Sequence, residues 1–314
     1  MVDASGIMMV AHILFLFLDG VGLGLDDPAT NPFVTASIPT ITGLIGGRKL
    51  LAGLPRLEGE RATFIPTDAG LGVEGLPQSA TGQAAIVTGR NIPQEIGRHW
   101  GPKPDSRIAN LIQTHSLFKK LIQSGKTAAL LNAYPDRYFD AVRSGRRIYS
   151  AIPLAVTAAG LPLFNVGDLV AGRALSADFT GEGWRTALGY AKAPVYSLSE
   201  AGDKLAELAR TYDFSFFEHW PTDYAGHRGT LAEAIKLLER FDAVLAALLA
   251  AWGEDNGLIV ITSDHGNLEN IGDRRHTLNK VPTFVIGEPD ARRAFTADLA
   301  DLTGFAPAIS QALL

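Results

Sequence analysis

The run Ala11-His12-Ile13-Leu14-Phe15-Leu16-Phe17-Leu18 is apolar at every position except His12 and stops abruptly at Asp19-Gly20. Without polar alternation, such a run fits a strand covered on both faces, and strands of that kind belong to sheets with helices packed on each side. A second run, Leu258-Ile259-Val260-Ile261-Thr262, stops in the same manner at Ser263-Asp264-His265-Gly266.

Between these runs, strand-like and helix-like patterns alternate. Ala62–Pro66, Thr127–Ala133, Phe214–Phe217 and Thr283–Ile286 read as further strands. Pro39–Ile45, Ala80–Thr88 (closed by Gly89), Ser116–Gln123 (closed by Gly125) and Asp301–Leu314 read as helices. Ser199 is the expected N-cap of a helix running to Ala209, and a long helix over Thr230–Trp252 carries apolar Leu237, Leu238, Phe241, Leu245 and Leu248 on one stripe. The alternation predicts an α/β fold, a three-layer α/β/α arrangement around a mostly parallel sheet. From Tyr134 to Pro194 the pattern loses regularity, and a basic cluster appears at Arg137, Arg143, Arg146 and Arg147. The expected organisation is a core of residues 1–133 and 197–314 with a small inserted cap over 134–196.

The formal net charge is −5, from 28 Lys+Arg against 33 Asp+Glu, with no long basic block, so no nucleic-acid partner is expected. An anionic substrate would need local cations, from Arg or Lys or from bound metals. There is no cysteine, which excludes a disulfide framework, thiolate metal sites and a Cys nucleophile. The apolar stretch Ile7–Leu18 has no Lys or Arg ahead of it, the first being Arg48, and runs into Asp19-Gly20 without a small-residue cleavage site. It is too short to span a bilayer and reads as a strand behind a short, loose leader. No membrane partner is expected, and a cytoplasmic enzyme is the default.

Four segments carry residues suited to chemistry. Asp19-Gly20 follows a strand; it reads either as a turn or as a carboxylate ligand at the strand edge where open α/β sheets gather their sites. Ser79-Ala80-Thr81-Gly82-Gln83 opens a helix, as a cap or as a nucleophilic hydroxyl set where free N–H groups and the helix dipole favour phosphate. In Asp223-Tyr224-Ala225-Gly226-His227 the carboxylate and the imidazole share a face on a helical turn and could form part of a divalent-cation shell. Asp264-His265-Gly266-Asn267, followed by His276-Thr277, sets two ligand types on one tight turn at a strand end. The remaining histidines, His12, His99, His115 and His219, read as packing or loop residues, with His99 beside Arg98 in a loop that could face a substrate.

In this order the segments resemble the alkaline phosphatase superfamily, most closely its cofactor-independent phosphoglycerate mutases and phosphopentomutases. The closer likeness lies in Thr262-Ser263-Asp264-His265-Gly266-Asn267 and in His276-Thr277 through Val281-Pro282. Gln83 stands where those mutases usually carry a His. The resemblance implies two metal sites: one from Asp19, Asp264 and His265 with the Ser79 hydroxyl, the other from Asp223, His227 and His276. It implies Ser79 as nucleophile ahead of Thr81, because in the superfamily the nucleophile precedes the Gly that closes its helix by ten positions, and 89 − 79 = 10. It also implies two divalent cations, Mn²⁺ ahead of Zn²⁺, and phosphoryl transfer on a small phosphorylated metabolite through a phosphoserine. Hydrolysis of a small phosphoester or phosphodiester, or a non-catalytic binding protein retaining the fold, are the alternatives. Candidate substrate contacts are Arg90, Arg98, His99, Arg137 and Arg143. A shared centre requires the two ends of the chain to meet.

Overall fold

The computed structural model describes residues 9–253 and 256–314; the expected leader ahead of the first strand lies mostly outside them. Seven strands form one sheet: β1 (His12–Leu18), β2 (Leu57–Glu58), β3 (Ala62–Thr67), β4 (Ala128–Leu130), β5 (Phe214–His219), β6 (Gly257–Thr262) and β7 (Val281–Ile286), in the order β2-β3-β7-β6-β1-β5-β4. β4, β5, β1 and β6 are parallel, β7 runs against β6, β3 against β7 and β2 against β3, so β3 rejoins the main direction. The sheet is therefore mostly parallel, with β7 and β2 reversed.

The unbroken apolar strands behave as their composition requires. Ile13, Phe15 and Phe17 of β1 enter one core, and Leu14, Leu16 and Leu18 enter the other. The first core is covered by the helices Ser79–Thr88, Ser106–His115, Leu117–Gln123, Ala151–Ala158 and Phe305–Leu313. The second is covered by Pro39–Leu44, Leu198–Ala209 and Leu231–Trp252. Phe15 anchors the first core, stacked on Phe216 at 4.8 Å between ring centroids and edge-on to Phe305 at 5.3 Å. This is the expected three-layer α/β/α arrangement.

Several local boundaries move. The helix ending at Ala209 is capped by Ser197, not Ser199: Ser197 Oγ accepts the Glu200 N–H and the Glu200 carboxylate accepts the Ser197 N–H, a reciprocal box two residues upstream. The C-terminal segment splits into a 3₁₀ turn, Leu302–Gly304, and the helix Phe305–Leu313, because Asp301 caps Thr303. β4 ends at Leu130, and Asn132 and Ala133 instead bridge singly to Leu175 and Phe164.

The irregular middle divides in two by its packing. Tyr138, Ala151, Ile152, Ala155, Val156 and Leu163 join the first core beside the sheet. Leu169, Ala174, Trp184 and Ala193 form a separate small cluster with Ala133. Among the described residues, no helix is long and apolar enough to cross a membrane.

Helix Pro39–Leu44 starts without a side-chain cap of its own, since Ile38 precedes it. Asp242, buried on the long helix, supplies the acceptors instead, taking the N–H groups of Thr40 (3.0 Å) and Ile41 (2.8 Å). Asp242→Ala orphans both donors and should cost roughly 1–3 kcal/mol. The expected signature is a lower urea midpoint at an unchanged slope; an unchanged midpoint refutes this account of the cap.

Candidate metal centre

Three neighbouring strands end level at one edge. The parallel register aligns Leu18 of β1 with His219 of β5, and Phe17 with Thr262 of β6. Asp19 leaves β1, Asp264 and His265 leave β6, and the helix Pro221–Arg228, carrying Asp223 and His227, follows β5 after Trp220. Because β7 runs against β6, its start lies at the same edge, which brings in His276 just ahead of Val281. Asp19, from the first strand, and Asp264, His265 and His276, from the last third of the chain, thus meet at one edge, as a shared site demands.

Backbone ties hold these loops together. Thr222 Oγ1 donates to the Asp19 carbonyl (2.6 Å), Val21 N–H donates to Ser263 Oγ (2.8 Å), and Leu268 N–H donates to the Gly20 carbonyl (2.8 Å). Gly20 has φ +69°, and a Cβ there would lie 2.7 Å from Asp223 Oδ1, so glycine is what permits the two carboxylate loops to touch.

The side chains fall into two groups, each with its ligand-type atoms within 4.8 Å of one another: Asp19, Asp264 and His265, and Asp223, His227 and His276. In the first, His265 Nε2 lies 3.5 Å from both Asp19 Oδ1 and Asp264 Oδ2. In the second, His227 Nε2 lies 3.3 Å from Asp223 Oδ1 and 3.2 Å from His276 Nε2. The groups adjoin through the His265 and His276 rings, stacked at 3.7 Å and 12°.

The electrostatics call for positive charge. Burial, then the Asp264, Asp223 and Glu218 carboxylates, hold the Asp19 carboxyl well above the usual range, and Asp19 Oδ1 is buried without a hydrogen-bond partner. Burial and Asp223 push Asp264 up to about 8. Burial first, then the His276 and His227 rings, keep His265 well below the ordinary imidazole value, and burial lowers His276 as well. Nδ1–H of His227 donates to the Arg274 carbonyl (2.8 Å) and Nδ1–H of His276 to the Pro77 carbonyl (2.7 Å). With those tautomers both Nε2 atoms carry lone pairs, and the two lone pairs meet at 3.2 Å. A proton between them is disfavoured by the burial of His276. A divalent cation held jointly with Asp223 removes the repulsion, so this residue set fits a metal.

Ser79 is the first residue of its helix, and its Oγ lies 3.0 Å from His265 Nε2. Thr81 is fully buried, and its hydroxyl donates to the Gln78 carbonyl (3.0 Å) while accepting from Trp100 N–H (3.3 Å). Of the two hydroxyls, Ser79 is thus the one turned to the carboxylate and imidazole groups. Gln83 points its amide between Asp264 Oδ2 (3.2 Å) and Asp19 Oδ2 (3.4 Å), giving each carboxylate a neutral donor.

The remaining candidates scatter. The loop bearing Arg98 and His99 lies over the first turn of the Ser79 helix, since the Trp100 carbonyl accepts Thr81 N–H (3.1 Å). There Arg98 stacks on the Trp100 ring at 4.4 Å and His99 pairs with the Val73 carbonyl at 3.2 Å. Arg90 sits past the far end of the same helix, roughly 15 Å from Ser79 at 1.5 Å per residue, and pairs with Glu95. Arg137 is exposed, and Arg143 is exposed and paired with Asp140. Arg147 of that cluster is exposed too, with its guanidinium 4.8 Å over the Tyr138 ring.

Sequence reasoning assigned no role to three residues that matter here. Glu218, the penultimate residue of β5, is buried, accepts the Tyr134 hydroxyl (2.7 Å), and is pushed by burial up to about 7. Asn267 Nδ2 donates to Asp223 Oδ1 (2.9 Å), and Glu269 ties three loops together. A carboxylate inside an otherwise apolar strand and two polar residues directly after Asp264-His265 were the available signals.

A family model described as Metalloenzyme superfamily matches residues 177–312. The 2,3-bisphosphoglycerate-independent phosphoglycerate mutase of Methylobacillus flagellatus is 37% identical over 119 residues, covering 35% of this chain and 23% of that protein. Its counterpart from Roseobacter denitrificans is 35% identical over 117 residues, again 35% and 23%. The match thus spans about a quarter of the length of these curated relatives. Among solved structures, Ps i-CgsB shares the fold with a TM-score of 0.50 at 16% identity, over 97% of this chain and 77% of that one. Five of the six ligand-type side chains, Asp223, His227, Asp264, His265 and His276, lie inside the segment that matches the Metalloenzyme superfamily, and Asp19 joins them from outside it.

Proposed function

We propose that the chain transfers the phosphoryl group of a small phosphorylated metabolite through a phosphoserine at Ser79. The observation that carries this reading is the Ser79 hydroxyl set 3.0 Å from His265, at the junction of two adjoining three-residue ligand groups. Asp19, Asp264, His265 and the Ser79 oxygen would hold one divalent cation; Asp223, His227 and His276 would hold the other. The all-oxygen-and-nitrogen donor set suits Mn²⁺ or Zn²⁺, and the likeness to mutases favours Mn²⁺. When bound, a cation pair lowers the pKa of the serine hydroxyl and neutralises charge on the phosphoryl group.

Ser79 Oγ attacks phosphorus as the bond from phosphorus to the substrate's alcohol oxygen breaks; the phosphoryl group stays on Ser79, and the proton given up by the serine hydroxyl ends on the released alcohol. The Thr81 N–H is taken by the Trp100 carbonyl, which leaves the Ser79 and Ala80 N–H groups at the helix start to meet the phosphoryl oxygens. Departure of the phosphoryl group then follows one of two routes. A second hydroxyl of the retained substrate makes a mutase; water makes a phosphatase. Retention needs a cap that excludes water, and the segment 134–196 is the candidate. Hydrolysis is the second reading, and a specific observation favours it: Tyr138 and residues 151–163 pack into the main core, leaving the small cluster around Leu169, Ala174 and Trp184 as covering material.

Ser79→Ala should lower turnover of p-nitrophenyl phosphate at least about 10³-fold and abolish phosphoserine in the intact-protein mass, with metal content retained. Activity that survives in Ser79→Ala but disappears in Thr81→Ala would reassign the nucleophile. Run beside 3-phosphoglycerate and pentose 1-phosphate isomerisation, the same Mn²⁺-loaded assay separates the two routes, since free phosphate without isomer identifies a phosphatase.

The raised carboxyls give a pH prediction for chelator-stripped protein. The folded state holds the Asp264 proton up to about pH 8, whereas the unfolded carboxyl loses it near pH 4. The folded state therefore binds more protons in that window, and stability falls as pH rises. The depressed His265 acts in the opposite sense, but only below its unfolded value of about 6.5. Between pH 6.5 and 8 the stripped protein should melt at progressively lower temperature, and Mn²⁺ should flatten the profile. A melting temperature that rises across this window in stripped protein would contradict the carboxylate assignment.

A further inference from the structure

We infer that Glu269 is a positioning residue that couples the two cation sites into one unit, so that neither site keeps its affinity without it. The inference rests on the reading that both groups hold cations. Glu269 belongs to neither group. It is 2% exposed, and its carboxylate is wholly occupied by neutral donors from three separate loops. Oε2 accepts Gly22 N–H (2.9 Å) from the Asp19 loop and Asn267 N–H (2.8 Å) from the Asp264-His265 loop. Oε1 accepts the hydroxyl of Thr277, next to His276, and the Asn279 amide (3.0 Å).

The fit leaves no room for drift. A Cβ on Gly22 or on Gly266 would lie 2.2 Å from Glu269 Oε1, so both loops run against the carboxylate as bare backbone. Asn267, held by Glu269 through its N–H, passes the constraint onward by donating Nδ2 to Asp223 Oδ1 at 2.9 Å. One side chain therefore fixes the loop of Asp19, the turn of Asp264 and His265, the approach of His276, and, through Asn267, the Asp223 carboxylate. Those residues span both ligand groups. A glutamine at 269 would be isosteric, but it offers one acceptor oxygen in place of two and no charge, so two of the four donors lose their carboxylate partner.

The test is calorimetric titration of chelator-stripped protein with Mn²⁺, wild type beside Glu269→Gln, Glu269→Asp and Thr277→Val, with far-UV circular dichroism and melting of the stripped proteins. Outer hydrogen-bond partners of metal ligands typically contribute about 10- to 100-fold in affinity. Glu269→Gln should weaken both Mn²⁺ sites by that factor while the stripped protein keeps its dichroism. Thr277→Val removes a single bond beside His276 and should weaken both sites more mildly; it also serves if Glu269→Gln fails to fold. Loss at one site alone, or a lower melting temperature at unchanged Mn²⁺ affinity, overturns the coupling. Wild-type protein that takes up fewer than two Mn²⁺ would overturn the two-cation reading itself, a separate result.

Discussion

The centre depends on the level ends of β1, β5 and β6. Their parallel register places Leu18 opposite His219 and Phe17 opposite Thr262, so the carboxylates that follow emerge within reach of one another at one edge of the sheet. Burial and neighbouring like charges raise proton affinity, which is why Asp19 and Asp264 sit so far above the usual carboxylate range. The imidazoles aimed at them are kept neutral by the same burial. Such an arrangement is unfavourable by itself and would become favourable around divalent cations.

What surrounds the ligands is arranged to keep them from relaxing. The Pro77 and Arg274 carbonyls select the imidazole tautomers, and Thr222, Ser263, Asn267 and Glu269 lock the loops that bear the carboxylates. The two hydroxyls near the helix start show the same division of labour. Thr81 spends its hydrogen bonds on the loop that lies over the helix, while Ser79 keeps its hydroxyl directed at His265. Packing thus separates the two hydroxyls by their hydrogen-bond partners.

The middle of the chain illustrates how sequence irregularity can mislead about architecture. Short helices, glycines and prolines make 134–196 read as one insertion, but burial assigns its parts differently, because Tyr138 and the Ala151–Ala158 helix complete the layer over β4 and β5 whereas the stretch around Trp184 packs on its own.

Much of this was legible in the residues themselves. The unbroken apolar runs of β1 and β6 announced strands buried on two faces, and the abrupt Asp-Gly and Asp-His-Gly endings announced turns with carboxylate and imidazole side chains at their tips, since local composition decides burial and turn chemistry. The pairing of Asp223 with His227 follows from helical spacing alone. Tertiary structure decided what spacing does not encode: that His276 joins Asp223 and His227 because β7 is reversed, that Arg90 lies at the wrong end of its helix, and that Arg147 lies over the Tyr138 ring while Arg143 pairs with Asp140. It also decided the place of Glu269, whose four partners sit at positions 22, 267, 277 and 279. A long-range hydrogen bond to a backbone N–H leaves no trace in the donor's side chain, so a sequence cannot display it, and only the folded register brings the two together.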